Sequence, residues 1–104
     1  MINEITVKGE FDRFLGSHDV VIVDFWASWC GPCRMLGAVI DEYIEENPEL
    51  EIVKVNVDIA KELASEYGVH ALPTTMVFKN GTKVASFVGY MPKSKFSQFV
   101  DENK

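Results

Sequence analysis

Two cysteines, Cys30 and Cys33, sit in the run Trp29-Cys30-Gly31-Pro32-Cys33, and the chain has no other thiol. At this spacing the pair lies about one helical turn apart, close enough to share a disulfide or for one sulfur to release a bond formed by the other. Three chemistries fit: a structural bridge, half of a metal site, or dithiol–disulfide exchange. Bridging such near neighbours closes so small a loop that the chain-entropy model gives it only about 2 kcal/mol. A closed zinc site needs four ligands, and the only other soft ligands, His18 and His70, stand on opposite sides of the motif without the spacing that usually completes such a site. No metal is therefore expected, and exchange is the chemistry that the pair itself can carry. If Cys30 opens a helix, the unpaired N–H groups and the dipole favour its thiolate, making Cys30 the attacking sulfur and Cys33, one turn further in, the resolving one. Pro32 suits a first helical turn, where its missing donor is not needed, and Gly31 removes bulk beside the attacking sulfur. Neither spacer residue adds a cation, so the pair is expected to act as a reductant.

The rest of the composition narrows the setting. With 104 residues the chain is read as one domain, 1–104, long enough to bury about two-thirds of its unfolded surface without cross-links. A formal net charge of −6 gives no basic surplus for neutralising phosphates, which argues against nucleic acid and for protein partners. Glu4 stands near Met1 with no apolar signal region after it, and no uncharged stretch approaches a membrane span, so a cytoplasmic location is expected. In a reducing compartment, neighbouring cysteines are more often catalytic or metal-binding than structural.

Several elements must position the pair. Ile2 to Val7 alternates weakly as a first strand, and Glu10 to Leu15 reads as a small helix with Phe11, Phe14 and Leu15 inward. Val20 to Phe25 is a β-branched run broken only by Asp24, as in a central strand covered on both faces. Leu36, Val39, Ile40, Tyr43 and Ile44 recur at helical spacing until Asn47-Pro48. Glu51 to Asp58 alternates again, so strand, helix and strand form a right-handed parallel unit. Asp58 is expected to cap a helix that ends at Gly68. Thr74 to Lys79 and Lys83 to Val88 are joined through Asn80-Gly81, a hairpin signal, and Pro92 is expected at the N1 position of a last helix. The fold class is α/β: a central mixed sheet of about five strands with an antiparallel C-terminal hairpin, flanked by about four helices.

The run Ile22-Val23-Asp24-Phe25-Trp26-Ala27 leading into the cysteine motif resembles the thioredoxin family. The resemblance continues, in the family's order, through Lys54-Val55-Asn56-Val57-Asp58, Tyr67-Gly68-Val69, Leu72-Pro73-Thr74, Phe78-Lys79-Asn80-Gly81 and Val88-Gly89. It implies the thioredoxin fold and a thiol–disulfide oxidoreductase that reduces protein disulfides, ending with a Cys30–Cys33 redox disulfide. It also implies no bound cofactor, recharging by a thioredoxin reductase that draws on NADPH or another donor, and disulfide-containing protein substrates; a monomer is the default. Burial alone would raise the proton affinity of Asp24. The resemblance places Asp24 behind the resolving cysteine as an aid to its deprotonation, with Lys54 nearby. Without it, Asp24 fits a hydrogen-bonded strand end and Lys54 a solvated strand face. An X-Pro bond is cis in only about 5–6% of folded cases, so the residues alone predict trans for Pro73, whereas the resemblance implies cis. The resemblance further makes Trp29, Gly31, Pro32, Val57, Ala71, Leu72, Pro73, Val88, Gly89 and Tyr90 a substrate-facing surface, along which the backbone of Leu72 pairs with an extended segment. Taken singly, the apolar members of that set also fit ordinary core or rim.

The chain departs from the family pattern at Gly37-Ala38, where the family usually has a helix-kinking proline at the position of Ala38, and at His70 and Tyr90. Gly37 costs about 1 kcal/mol relative to alanine in a helix interior. His70 and Tyr90 are expected near the cysteines, where they tune substrate choice or stand as solvated rim residues.

Overall fold

The apolar, largely β-branched run Val20–Trp26, broken only by Asp24, builds the strand around which everything else is arranged. The computed structural model describes residues 1–104. In chain order the elements are β1 (Ile2–Glu4), α1 (Lys8–Ser17), β2 (Val20–Trp26), α2 (Gly31–Glu46), β3 (Glu51–Asn56), α3 (Lys61–Glu66), β4 (Thr74–Lys79), β5 (Thr82–Val88) and α4 (Lys93–Asn103). They form a five-stranded sheet in the order β1-β3-β2-β4-β5. β2 is parallel to β3, and β3 to β1, whereas β4 runs antiparallel to both β2 and β5. The mixed sheet with its C-terminal hairpin and four helices is the architecture expected from the sequence.

Period-two alternation sends successive side chains of β2 to opposite faces. Val21, Val23 and Phe25 join Val53, Val55, Phe11, Leu15 and Leu63 in a core on the α1 and α3 side. Ile22 and Ile52 join Leu36, Ile40, Tyr43, Phe96 and Val100 on the α2 and α4 side. Asp24 and Trp26 share the parity of Ile22 and therefore belong to this second face. Lys93 fastens the two helices there, its ammonium reaching Glu42 at 3.0 Å and also Glu46.

Against the sequence reading, α1 is longer at both ends (Lys8–Ser17), β2 extends to Trp26 and β5 begins at Thr82, and four further boundaries differ for local reasons. β1 ends at Glu4 rather than Val7: after the Ile5 N–H donates to the Lys54 carbonyl (3.1 Å), the chain turns away, and the Val7 carbonyl accepts from Phe11 N–H (2.9 Å) to start α1. β3 ends at Asn56 rather than Asp58, because the Asn56 side-chain oxygen accepts from Asp58 N–H (3.0 Å) in a local turn. Asp58 does not cap α3, whose N-cap is Ala60 with no side-chain cap; its carboxylate is engaged by an indole described below. Pro92 stands at the N-cap of α4, one position before the expected N1. The turn signals hold: Asn80 and Gly81 both have positive φ (51° and 81°), as a two-residue hairpin turn requires, and Gly68 ends the α3 region at φ 66°.

Candidate active site

The cysteine pair lies where β2 gives way to α2. Cys30 is the N-cap of α2, with extended backbone dihedrals (φ −93°, ψ 110°), and Pro32 falls in the first turn. The Cys30 sulfur accepts from the Cys33 backbone N–H at 3.2 Å, so one of the helix's unpaired donors points at it. The two sulfurs are joined in a disulfide across a Cα separation of 5.2 Å. Both residues are largely enclosed, Cys30 at 6% and Cys33 at 4% exposure, against Ala27, Trp26, Val57 and Leu72. Once reduced, a sulfur at this helix N-terminus gains negative charge more readily than a free thiol.

Beside Cys30 opens an apolar cleft of about 300 Å³, lined by Trp29, Cys30, Val57, Val69, His70, Ala71 and Leu72. Trp29 is 68% exposed yet fixed, because its indole N–H donates to Asp58 Oδ2 at 2.9 Å. Arg34 braces the approach to the motif by donating to the Ser28 carbonyl at 3.0 Å. On the opposite wall the Leu72–Pro73 bond is cis, as the resemblance implied and the residues alone did not. The Thr74 hydroxyl donates to the Ala71 carbonyl (2.6 Å), which holds this loop, while Leu72 makes none of the loop's backbone hydrogen bonds. The Gly89 N–H donates to the Pro73 carbonyl (2.8 Å) with φ 107°, tying the end of β5 to the same wall.

The structure thus gathers Trp29, Val57, Ala71 and Leu72 around Cys30, with His70 beside them. Gly31 and Pro32 lie in the first turn of α2, and Pro73 is buried behind Leu72. Val88, Gly89 and Tyr90 follow from β5 and do not line the cleft; Val88 and Tyr90 are exposed. Val69 belongs to the lining but was not singled out from the sequence; its place directly after Gly68 was the available signal. His18 lies apart from the site, stacked on Phe14 with ring centroids 4.1 Å apart. No group of three or more His, Cys, Asp or Glu side chains gathers around a common point.

Asp24 and Lys54 occupy the second face of the sheet rather than the cleft. Register places Glu4, Lys54, Asp24 and Thr75 in one row across β1, β3, β2 and β4. Asp24 is wholly buried and neither carboxyl oxygen has a hydrogen-bond partner. Its pKa is pushed up to about 7, chiefly by burial; the Lys54 charge opposes the shift and Glu4 adds to it. The Lys54 ammonium forms no ion pair and lies 5.4 Å from the centre of the Trp26 ring. A β-carbon on Gly37 would stand 3.5 Å from this ammonium, an ordinary contact, so α2 passes close to the end of Lys54. α2 runs uninterrupted through Gly37-Ala38. Trp26, whose buried indole N–H has no partner, is a second residue near the site that the sequence reading passed over. Its even spacing from Asp24 was the signal.

Comparison with known proteins agrees with this geometry. The family model described as Thioredoxin matches residues 3–102. Thioredoxin 1 of Nostoc sp. is 46% identical over 103 residues, covering 98% of this chain and 94% of its own length. The chloroplastic M-type thioredoxin of Chlamydomonas reinhardtii is 47% identical over 102 residues, covering 97% of this chain and 71% of its own. The X-ray structure of Fasciola hepatica thioredoxin superposes with a TM-score of 0.91 at 31% identity, covering 98% of this chain and 99% of that one. Sequence, fold and a bonded cysteine pair at a helix N-terminus agree: the chain belongs to the thioredoxin family, the thiol–disulfide oxidoreductases that reduce protein disulfides by dithiol exchange.

Proposed function

We propose that Cys30 attacks and Cys33 resolves. The reduced Cys30 thiolate attacks one sulfur of a substrate disulfide; an S–S bond forms between Cys30 and the substrate, and the second substrate sulfur leaves as a thiolate that takes up a proton. Cys33, as its thiolate, then attacks the Cys30 sulfur, expelling the first substrate sulfur and leaving the Cys30–Cys33 disulfide. Two electrons pass to the substrate. The observation that carries this assignment is the Cys30 sulfur at the N-cap of α2, beside an open cleft and accepting from the Cys33 N–H.

Asp24 takes the proton that Cys33 sheds. Its raised proton affinity suits exchange near neutral pH, and Lys54 keeps that affinity from rising further. Trp29, Val57, Ala71 and Leu72 receive the apolar side chains of an extended substrate segment, whose backbone pairs with Leu72. Gly31, Pro32 and Pro73 shape the surface next to the sulfurs, while Val88, Gly89 and Tyr90 extend the rim. Thioredoxins work with thioredoxin reductases and disulfide-containing proteins in general; for this chain the partner is an NADPH-dependent reductase, and no cofactor binds the chain itself. It acts as a single domain, 1–104, and as a monomer in the cytoplasm; no helix is long and apolar enough to cross a membrane.

The test is reduction of insulin by protein recharged with dithiothreitol. Wild type turns over, Cys30→Ser is inert, and Cys33→Ser accumulates a mixed disulfide through Cys30. Turnover by Cys30→Ser, or a mixed disulfide through Cys33 in its place, overturns the assignment.

A further inference from the structure

Thr75 is wholly buried near the middle of the sheet, and its hydroxyl has no hydrogen-bond partner. A hydroxyl in that condition costs about 1–3 kcal/mol, and valine would fill the same volume without the cost. Directly opposite it in the antiparallel β2–β4 pair stands Asp24, equally buried, with both carboxyl oxygens unpaired. Side chains at directly opposed positions project to the same face, with β-carbons about 5 Å apart. An unpaired donor and an unpaired acceptor therefore face the same small volume beneath α2.

The other groups around that volume leave the place to Thr75. On β3, the Lys54 ammonium is drawn over the Trp26 ring and makes no ion pair. On β1, Glu4 is a further carboxylate and cannot donate to another. α2 contributes Leu36, Ile40 and the Tyr43 phenol to this face, with Gly37 above Lys54 and the cysteine pair at its N-terminus. α4 contributes Phe96 and Val100, and Phe87 continues the row on β5.

We infer that Thr75 is a positioning residue for Asp24: its hydroxyl donates to the ionised carboxylate, directly or through one buried water, and so lowers the cost of ionising Asp24 when the proton moves. A hydroxyl can also accept from the protonated carboxyl, so the same side chain serves both states. The inference rests on the role given to Asp24 above.

The experiment is a carbon-detected NMR titration of the Asp24 carboxyl in the oxidised full-length protein, with the pH profile of insulin reduction measured in parallel. Thr75→Val removes the hydroxyl at constant volume, and Thr75→Ser retains it. The titration midpoint of Asp24 rises by about half a pH unit or more in Thr75→Val and returns to the wild-type value in Thr75→Ser, and the activity profile of Thr75→Val moves in the same direction. If Thr75→Val does not fold, Thr75→Ala is read in its place. A midpoint unmoved by loss of the hydroxyl, or moved equally by serine, overturns the inference. An Asp24→Asn profile identical to wild type removes instead the role of Asp24 in exchange, which the Thr75 midpoints do not depend on.

Discussion

The two faces of the central sheet are built to different rules. On the α1 and α3 side, Val21, Val23, Phe25, Val53 and Val55 meet Phe11, Leu15 and Leu63, and the buried polar side chain of that face, Thr74, has its hydroxyl paired with the Ala71 carbonyl. On the α2 and α4 side, the same strands carry the row Glu4, Lys54, Asp24 and Thr75. All the buried side-chain polar atoms without partners belong to this second side: the Asp24 oxygens, the Trp26 indole N–H, the Thr75 hydroxyl and the Tyr43 phenol. Unpaired buried polar groups are expensive, so their confinement to the face covered by the cysteine-bearing helix is informative. Both faces bury an apolar core, but only the second also carries an ionisable group without a partner, at a cost in stability.

That contrast can be broken from either side. The largest effect is expected from Phe11→Ala, which should lower the unfolding free energy by about 4 kcal/mol in chemical denaturation, with insulin-reducing activity per folded molecule unchanged. A comparable loss of activity per folded molecule would show that the faces are not separable. Asp24→Asn should act in the opposite sense and only at some pH values. Asp24 titrates near 3.9 when unfolded and at about 7 when folded. Between those values the folded protein binds more protons than the unfolded one, so wild-type stability falls as pH rises from about 4 to about 7 and stays low above it. The amide has no such slope. Asp24→Asn should therefore match wild type near pH 4 and exceed it by about 4 kcal/mol at pH 8, read from denaturation at both values. Equal stabilities at pH 8 would remove the claim that this face carries an ionisation cost. Tyr43→Phe, the smallest change, deletes an unpaired phenol and should raise the unfolding free energy by about 1 kcal/mol at both pH values. A loss of stability there would mean that the phenol is paired in solution.

Much of this arrangement can be read from local pattern, and the rest depends on contacts that local pattern does not encode. The strand Val20–Trp26, the helix after the cysteines and the Asn80-Gly81 hairpin announce themselves through period, length and turn chemistry. The cysteine spacing alone favours exchange, whereas the cis geometry of Pro73 follows only from the family likeness, because nothing in Leu72-Pro73-Thr74 outweighs the usual trans preference. An aspartate just before a helix, such as Asp58, is equally suited to a local cap and to a distant donor; the Trp29 indole, far away in sequence, is the partner it takes. Thr75 carries no local signal for a similar reason. Its importance comes from standing opposite Asp24, and the register between β2 and β4 is set across the whole sheet rather than by any turn joining those strands.

The pairing of Cys30 with Cys33 has a final consequence because the chain contains no third thiol. Between encounters with a partner each molecule rests in one of two states, holding either two transferable electrons or none. It has no spare sulfur with which to cross-link to a neighbour while its own pair is closed. Alkylating reagents applied to the denatured protein will therefore find two sites on a reduced chain and none on an oxidised one, and the thiol content of a population becomes a direct gauge of how much reducing power it still carries.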